Sequence, residues 1–217
     1  MTTSSLPSPI VSVKPVVLPA PGRGEDLQVR VSAPVAGHDL PVILFSHGFG
    51  WSMDGYAPLA DAWAARGFVV IQPTYLDSRR LGLAADDPRT PGIWRRRVQD
   101  ATHALDELDR IAAAVPGDHD VSPLLTTRGW DWATDPYALS PSPKSLLTLF
   151  AAEHSLGGIP GYEVAETTDE SPQRVALLQE LTTAYLRTAL DPRDESWPAA
   201  RAALRESADP LGRIEER

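Results

Sequence analysis

The chain contains no cysteine. Disulfides, thiolate nucleophiles and cysteine-held zinc are therefore excluded. Lysine is almost absent: Lys14 and Lys144 stand alone among the basic residues, and the rest are arginines. Positive charge is in deficit, with 20 basic residues against 29 acidic ones and a net charge of −9. That balance argues against nucleic acid as a partner, because phosphate binding needs clustered cations. The one basic run, Arg95 to Arg97, is followed at once by Asp100, Asp106, Glu107 and Asp109. It reads as a solvated helix face. Long apolar runs are lacking too, and none approaches the ~20 residues of a membrane span. Met1 to Pro9 show neither the basic stretch nor the apolar core of a signal peptide, so a cytoplasmic protein is expected.

What is present is a chain of 217 residues, 42 % of them hydrophobic. A single domain of this size buries ~70 % of its unfolded surface and needs no staple. Residues 1–10 read as a flexible N-terminal tail and residues 11–217 as one domain. Val11 to Leu18 and Leu27 to Ala33 alternate apolar and polar residues around a Pro/Gly-rich turn, which predicts an antiparallel edge pair. Residues 41–45 and 68–71 are continuous apolar runs, as expected of strands covered on both faces. Between them, Leu59, Ala60, Trp63 and Ala64 form one face of a helix that stops at Gly67. A second helical stripe runs through Trp94, Val98, Ala101, Leu105, Leu108, Ala112 and Val115 before Pro116-Gly117. Asp118-His119-Asp120 follows the helix with no strand between them, and residues 121–143 read as loop. Residues 145–150 form the last clear strand. Ser171-Pro172 opens a further helix, with serine as cap and proline in the first turn, and a short final helix is expected near 197–207. Strand–helix alternation predicts an α/β layer structure with a mostly parallel sheet.

The chemistry should lie beyond the carboxyl ends of the strands. His47-Gly48-Phe49-Gly50 follows residues 41–45 and occupies such a place. Glycine lets the backbone approach a ligand closely, and stabilising an oxyanion needs N–H donors already aimed at the developing charge. Gly48 and Phe49 are the candidate donors. The alternative is an ordinary glycine-rich turn with a structural histidine.

With PVILFSHGFG, FVVIQPTY, GDHD and SPKSLLTLFAAEHSLGGIPGYEVAETTDE on view, the chain resembles the α/β-hydrolase family. The likeness is to the chlorophyllase and dienelactone-hydrolase branch of serine esterases, near the cutinase and platelet-activating-factor acetylhydrolase types. It covers two blocks, roughly residues 10–116 and 117–217. It implies a reduced three-layer α/β-hydrolase fold, Asp120 as the acid, His154 as the base and Gly48 with Phe49 as the oxyanion hole. It also implies a small-molecule ester or lipid-like ligand. No cofactor is expected, and no metal, since the adjacent Asp118, His119 and Asp120 rarely converge on one ion.

The same likeness exposes a gap. Between the two blocks the family carries a strand, a G-x-S-x-G elbow and its helix, whereas this chain passes directly from Val115 to Asp120. The join reads as an internal deletion near 115–120 that removes the nucleophile. His154-Ser155-Leu156-Gly157-Gly158 imitates an elbow, but Glu153 stands where a small residue is required. Gly157, Gly158, Pro160 and Gly161 also forbid the helix an elbow opens into. No nucleophile is assigned; Ser155 and Ser122 are the fallback serines. The expectations are three: residues 42–45, 68–71 and 145–150 parallel in one sheet; His154 near Asp120 and facing the His47–Gly50 turn; and no ester turnover by a serine triad. The alternative is a non-catalytic binding or interaction protein built on the same scaffold.

Overall fold

A computed structural model describes residues 8–83, 86–122, 143–153, 155–161 and 169–216. The chain divides into two compact units: residues 1–124 with 160–164, and residues 125–159 with 165–217.

The first unit is built on a five-stranded sheet. Its strands are β1 (Ile10–Leu18), β2 (Leu27–Pro34), β3 (Ala36–Leu44), β4 (Val69–Thr74) and β5 (Asp118–Ser122), in the spatial order β1-β2-β4-β3-β5. The predicted edge pair is present: β1 and β2 run antiparallel, with Val11 opposite Ala33 and Leu18 opposite Leu27. β3 and β4 are parallel, Val42 pairing with Val69. The sheet is mixed rather than mostly parallel, because β2 meets β4 antiparallel while β3 meets both β4 and β5 parallel.

Strand alternation assigns the two faces of this sheet. Val29 and Val31 of β2 pack with Val69, Ile71, Ala104, Ile111 and Val115 in one apolar cluster. Each large aliphatic side chain so buried contributes roughly 1.5–3 kcal/mol. Arg30 and Ser32 point the other way and meet Asp61 of helix α1 (Ala57–Ala64), at 2.7 and 2.9 Å. Three layers result: α1 on one face, the sheet, and helices α2 (Ile93–Asp106) and α3 (Leu108–Ala114) on the other. Gly67, at φ 96°, closes the end of α1 through its N–H to the Ala64 carbonyl. At the amino end, Ser8 N–H reaches the Ala65 carbonyl and Val35 N–H reaches that of Pro9.

Two expectations fail here for physical reasons. The predicted stripe faces the core only in its second half, where Val115 is buried and Leu108 packs against the cluster; in α2 Trp94 is 57 % and Val98 67 % exposed. The buried face carries Ile93, Asp100 and Ala104 instead. Asp100 enters the interior because Arg23 does so with it, donating from Nε and Nη2 at 2.9 and 3.1 Å. Arg23 also reaches the carbonyls of Glu25, Asp26 and Thr74. A pattern based on hydrophobicity cannot see a buried ion pair, so it selected the wrong side of the helix. The second failure is Asp118–Ser122, which is not a loop but an edge strand held by the ladder to β3.

The second unit contains β6 (Ser145–Leu149), α4 (Pro172–Leu190), α5 (Ser196–Glu206) and β7 (Gly212–Glu216). Ser171 caps α4, its Oγ accepting the Arg174 N–H at 3.3 Å, with Pro172 in the first turn. Leu181, Ala184, Ala200 and Leu204 form the core, joined by Leu147, Leu177, Trp197 and Ile214. β6 does not join the parallel strands β3 and β4 as the sequence predicted it would. It pairs antiparallel with β7 in a separate two-stranded sheet, Leu147 opposite Ile214. Among the described residues no helix is long and apolar enough to cross a membrane.

Candidate active site

The turn after β3 is fixed from several directions. Trp51 N–H bonds to the Gly48 carbonyl at 3.2 Å, closing a four-residue turn. Its third residue, Gly50, has φ 80°, which a type II turn requires and which a side chain resists. Phe49 stands at the tip, 66 % exposed.

His47 is buried beneath this turn. Its Nε2 accepts the Tyr75 N–H at 3.0 Å, and its Nδ1 lies 2.7 Å from the Gly48 carbonyl. One nitrogen must accept and the other must donate, so the ring is the neutral Nδ1–H tautomer. Burial pushes its pKa down to about 4; the bond to Gly48 opposes this and the Arg97 charge reinforces it. With both nitrogens engaged and no readiness to take a proton, His47 is a structural histidine and not a base.

Two residues not singled out from the sequence grip the same turn. Arg97 of α2 donates from Nη1 to the His47 carbonyl at 2.9 Å and from Nη2 to the Gly48 carbonyl at 3.4 Å. The same guanidinium forks onto Asp77, with Nε 2.9 Å from Oδ1 and Nη2 bonded to Oδ2. Asp77 Oδ2 in turn accepts the Gly50 N–H at 3.3 Å. Arg97 also lies over the rings of Tyr75 and Trp94, at 4.7 and 5.1 Å from their centroids. Burial alone would raise the Asp77 pKa, but the Arg97 bonds and charge, with the Gly50 N–H, hold it below the ordinary carboxylate range. The Tyr75 hydroxyl is 2.7 Å from Ser46 Oγ, and burial pushes its pKa up.

The pair was hidden in the sequence. Arg97 belongs to the run read as a solvated face, yet its side chain is 11 % exposed and that of Asp77 is 3 % exposed. Nothing local marks a partner twenty residues away; only the amphipathic placement of Arg97 one turn after Trp94 hints at it.

Beside the turn lies a polar cavity of about 320 Å³ lined by Gly50, Trp51, Ser52, Ser78, Arg79 and Arg80. Arg80 is paired there with Asp54, which also holds Lys14. Among the described residues, no acceptor takes the N–H of Gly48 or of Phe49. No group of metal-ligating side chains occurs among those residues.

The other candidates are placed as follows. Asp120 lies within β5. Because Ala36 pairs with Asp118 and Leu40 with Val121, it stands level with residues 37–40, in the amino half of β3. β3 continues to Leu44 before the turn begins, so about 13 Å of strand separates that level from the strand end. Ser122 ends β5 opposite Pro41. His154 lies outside the described residues. Its neighbours form consecutive turns: Gly158 N–H and Ile159 N–H both bond to the Ser155 carbonyl, at 2.9 and 3.1 Å. Ser155 therefore does not sit between a strand and a helix. Asp169 organises this segment, its Oδ2 accepting the N–H groups of Glu153 at 2.7 Å and Gly157 at 3.0 Å. Those bonds hold its pKa down, the Glu153 N–H foremost.

No family model matches the chain, and no curated protein matches it. Among solved structures, a hyperthermophilic esterase from the archaeon Pyrobaculum calidifontis aligns at 24 % identity, over 54 % of this chain and 35 % of its own, with a TM-score of 0.31. A monoclinic form of the P. calidifontis esterase aligns at 23 % identity over the same shares, also with a TM-score of 0.31. A protein described as a dienelactone hydrolase, from Klebsiella pneumoniae, aligns at 22 % identity over 49 % of this chain and 43 % of its own, with a TM-score of 0.29. The chain spans little more than a third of the length of those esterases.

Proposed function

We propose that this chain is a relative of the serine carboxylic-ester hydrolases that retains an oxyanion-binding turn and does not itself turn over esters through a serine triad. The observation that carries the reading is the His47–Gly50 turn. Two successive N–H groups, of Gly48 and Phe49, lack acceptors among the described residues, in a turn locked by Gly50 and by Arg97. Donors fixed before the ligand arrives cost no reorganisation when negative charge develops on it. The ligand is a small-molecule ester or lipid-like acyl compound whose carbonyl oxygen meets these donors. His154 and Asp120 stay in the proposal as base and acid through the resemblance alone, since β5 sets Asp120 about 13 Å of strand from the end that carries the turn; the cytoplasm is the proposed compartment.

The nucleophile is the missing part. A triad needs a nucleophile, a base and an acid in contact, and removing the nucleophile costs on the order of 10⁶ in kcat. Hydrolysis of p-nitrophenyl esters of short and medium chain, by the chain and by its Ser155→Ala and His154→Ala variants, tests the proposal. Background rates are expected in all three. Turnover abolished by both substitutions would make Ser155 the nucleophile and overturn it. Turnover lost only in His154→Ala would implicate another serine or a histidine-activated water.

A second reading, binding without chemistry, draws on the exposed Phe49 at the turn and the exposed Trp94 and Val98 on α2. Such apolar exposure suits the hydrocarbon part of a ligand that is held without being cleaved.

A further inference from the structure

The proposed oxyanion turn raises the question of what aims its donors. A trans peptide sets its C=O and the following N–H in opposite directions. The carbonyls of His47 and Gly48 both accept from a single guanidinium, that of Arg97, at 2.9 and 3.4 Å; the Gly48 carbonyl is shared with His47 Nδ1 and the Trp51 N–H, at 2.7 and 3.2 Å. The N–H groups of the same two peptide units belong to Gly48 and Phe49. Both must then point away from Arg97, side by side. The next unit is reversed: Gly50 N–H turns towards Asp77, on the Arg97 side. The change of direction occurs at the tip of the turn, so two donors are presented outward and the third is withdrawn.

We infer that Arg97, held in place by Asp77, is the positioning residue that turns the Gly48 and Phe49 N–H groups outward as an anion-binding pair. This rests on reading the turn as an oxyanion site. A lysine could not replace the arginine. Its single nitrogen cannot reach two consecutive carbonyls while also forking onto a carboxylate, whereas the planar guanidinium has five donors in fixed directions. The Asp77 carboxylate fixes the plane of that fork, and the rings of Tyr75 and Trp94 brace it. Arg97 touches no ligand in this scheme; it acts through the peptide units.

The test uses the full chain, labelled with ¹⁵N, and sodium acetate as the probe, a carboxylate standing in for an oxyanion. In the parent chain the Gly48 and Phe49 amide signals shift saturably with acetate. In Arg97→Gln the apparent affinity falls by about tenfold or more, the expected cost of losing charge-assisted hydrogen bonds. Added guanidinium, at tens of millimolar, restores most of it by refilling the vacated site. Arg97→Lys behaves like Arg97→Gln, and exposed Arg95→Gln like the parent. Without any acetate, the two amide signals move in Arg97→Gln and return with guanidinium. If Arg97→Gln does not fold, Asp77→Asn supplies the same comparison, with a smaller displacement of the same two signals. Absence of an acetate response in the parent chain would sink the anion-site reading, and the acetate-free spectra would still judge the positioning role. Unchanged Gly48 and Phe49 signals in Arg97→Gln and Asp77→Asn, or an unchanged affinity, would overturn the role assigned to Arg97.

Discussion

Two glycine-rich turns in this chain, at residues 46–51 and 153–159, solve one problem with unequal means. Each is gathered by an aspartate that accepts backbone N–H groups: Asp77 takes that of Gly50, and Asp169 takes those of Glu153 and Gly157. Asp77 is itself gripped by an arginine whose side chain is 11 % exposed and which also holds two carbonyls of the turn. Asp169 has backbone partners on one oxygen, while its Oδ1 is buried without a partner. In the first turn the left-handed position is a glycine, Gly50 at φ 80°; in the second, Gly157 and Gly158 at φ 85° and 100° are preceded by Leu156 at φ 49°. The first turn is therefore over-determined and the second carries backbone strain, because a side chain in the left-handed region costs of the order of 1–2 kcal/mol. Preorganised donors belong to the first kind of turn, which is why the proposed anion site is placed there and not beside Ser155.

The comparison is broken most forcefully at Asp77. Asp77→Ala leaves the Arg97 charge buried without its partner, and such losses cost ~3–5 kcal/mol. Urea unfolding should show a drop of that size. Asp169→Ala, with no buried arginine to strand, should leave the unfolding midpoint nearly unmoved and mainly speed amide exchange at Glu153 and Gly157. Equal effects of the two substitutions would erase the distinction between the turns.

Acid is the next lever. The native state keeps His47 neutral down to about pH 4, whereas the unfolded chain protonates it near 6.5. The unfolded state binds more protons throughout that interval, so stability falls as pH falls from 6.5 to about 4. The full loss amounts to ~3 kcal/mol from this ring alone. The depressed Asp77 carboxyl acts in the same direction, below the ordinary carboxylate range. Urea midpoints between pH 7 and 4.5 should decline steeply in the parent chain and much less in His47→Gln. A flat profile in the parent would mean that the ring is not held neutral.

These features were unequally legible in the sequence. The β1–β2 edge pair, the parallel β3–β4 pairing, α1 with its Gly67 stop and the Ser171 cap are local patterns that the structure reproduces. β5 and β7 were missed because DHDVS and GRIEE are short and charged, and owe their strand form to a partner rather than to apolar alternation. The partner of β6 lies more than sixty residues further along the chain, beyond the reach of periodicity. At the site, Gly48 and Phe49 were marked by their glycine-rich setting after a strand. Asp77 and Arg97 were not, since an ion pair between the turn after β4 and a helix leaves no local trace. The same blindness turned α2 the wrong way, through Asp100 and Arg23.

Smaller effects sharpen the contrast at single backbone positions. Gly50→Ala puts a side chain at φ 80°, 3.2 Å from Arg79 Nε. A loss of ~1–2 kcal/mol is expected, with weaker acetate shifts at Gly48 and Phe49. Leu156→Gly should do the reverse. It relieves φ 49° at a side chain 38 % exposed, and the relief of ~1–2 kcal/mol is offset by glycine's entropy cost of ~0.5–1 kcal/mol. A small rise in melting temperature is the expected result, and a clear fall would show that Leu156 contributes packing instead of strain.

The central claim, a preset donor turn in a chain without a triad nucleophile, meets its most direct test in the intact mass of the protein after exposure to an alkyl fluorophosphonate. An activated serine is phosphonylated with loss of fluoride, and an ordinary serine is not. The account predicts an unchanged mass after prolonged incubation. A stoichiometric adduct formed within minutes and mapped to Ser155, Ser122 or any other serine would contradict it.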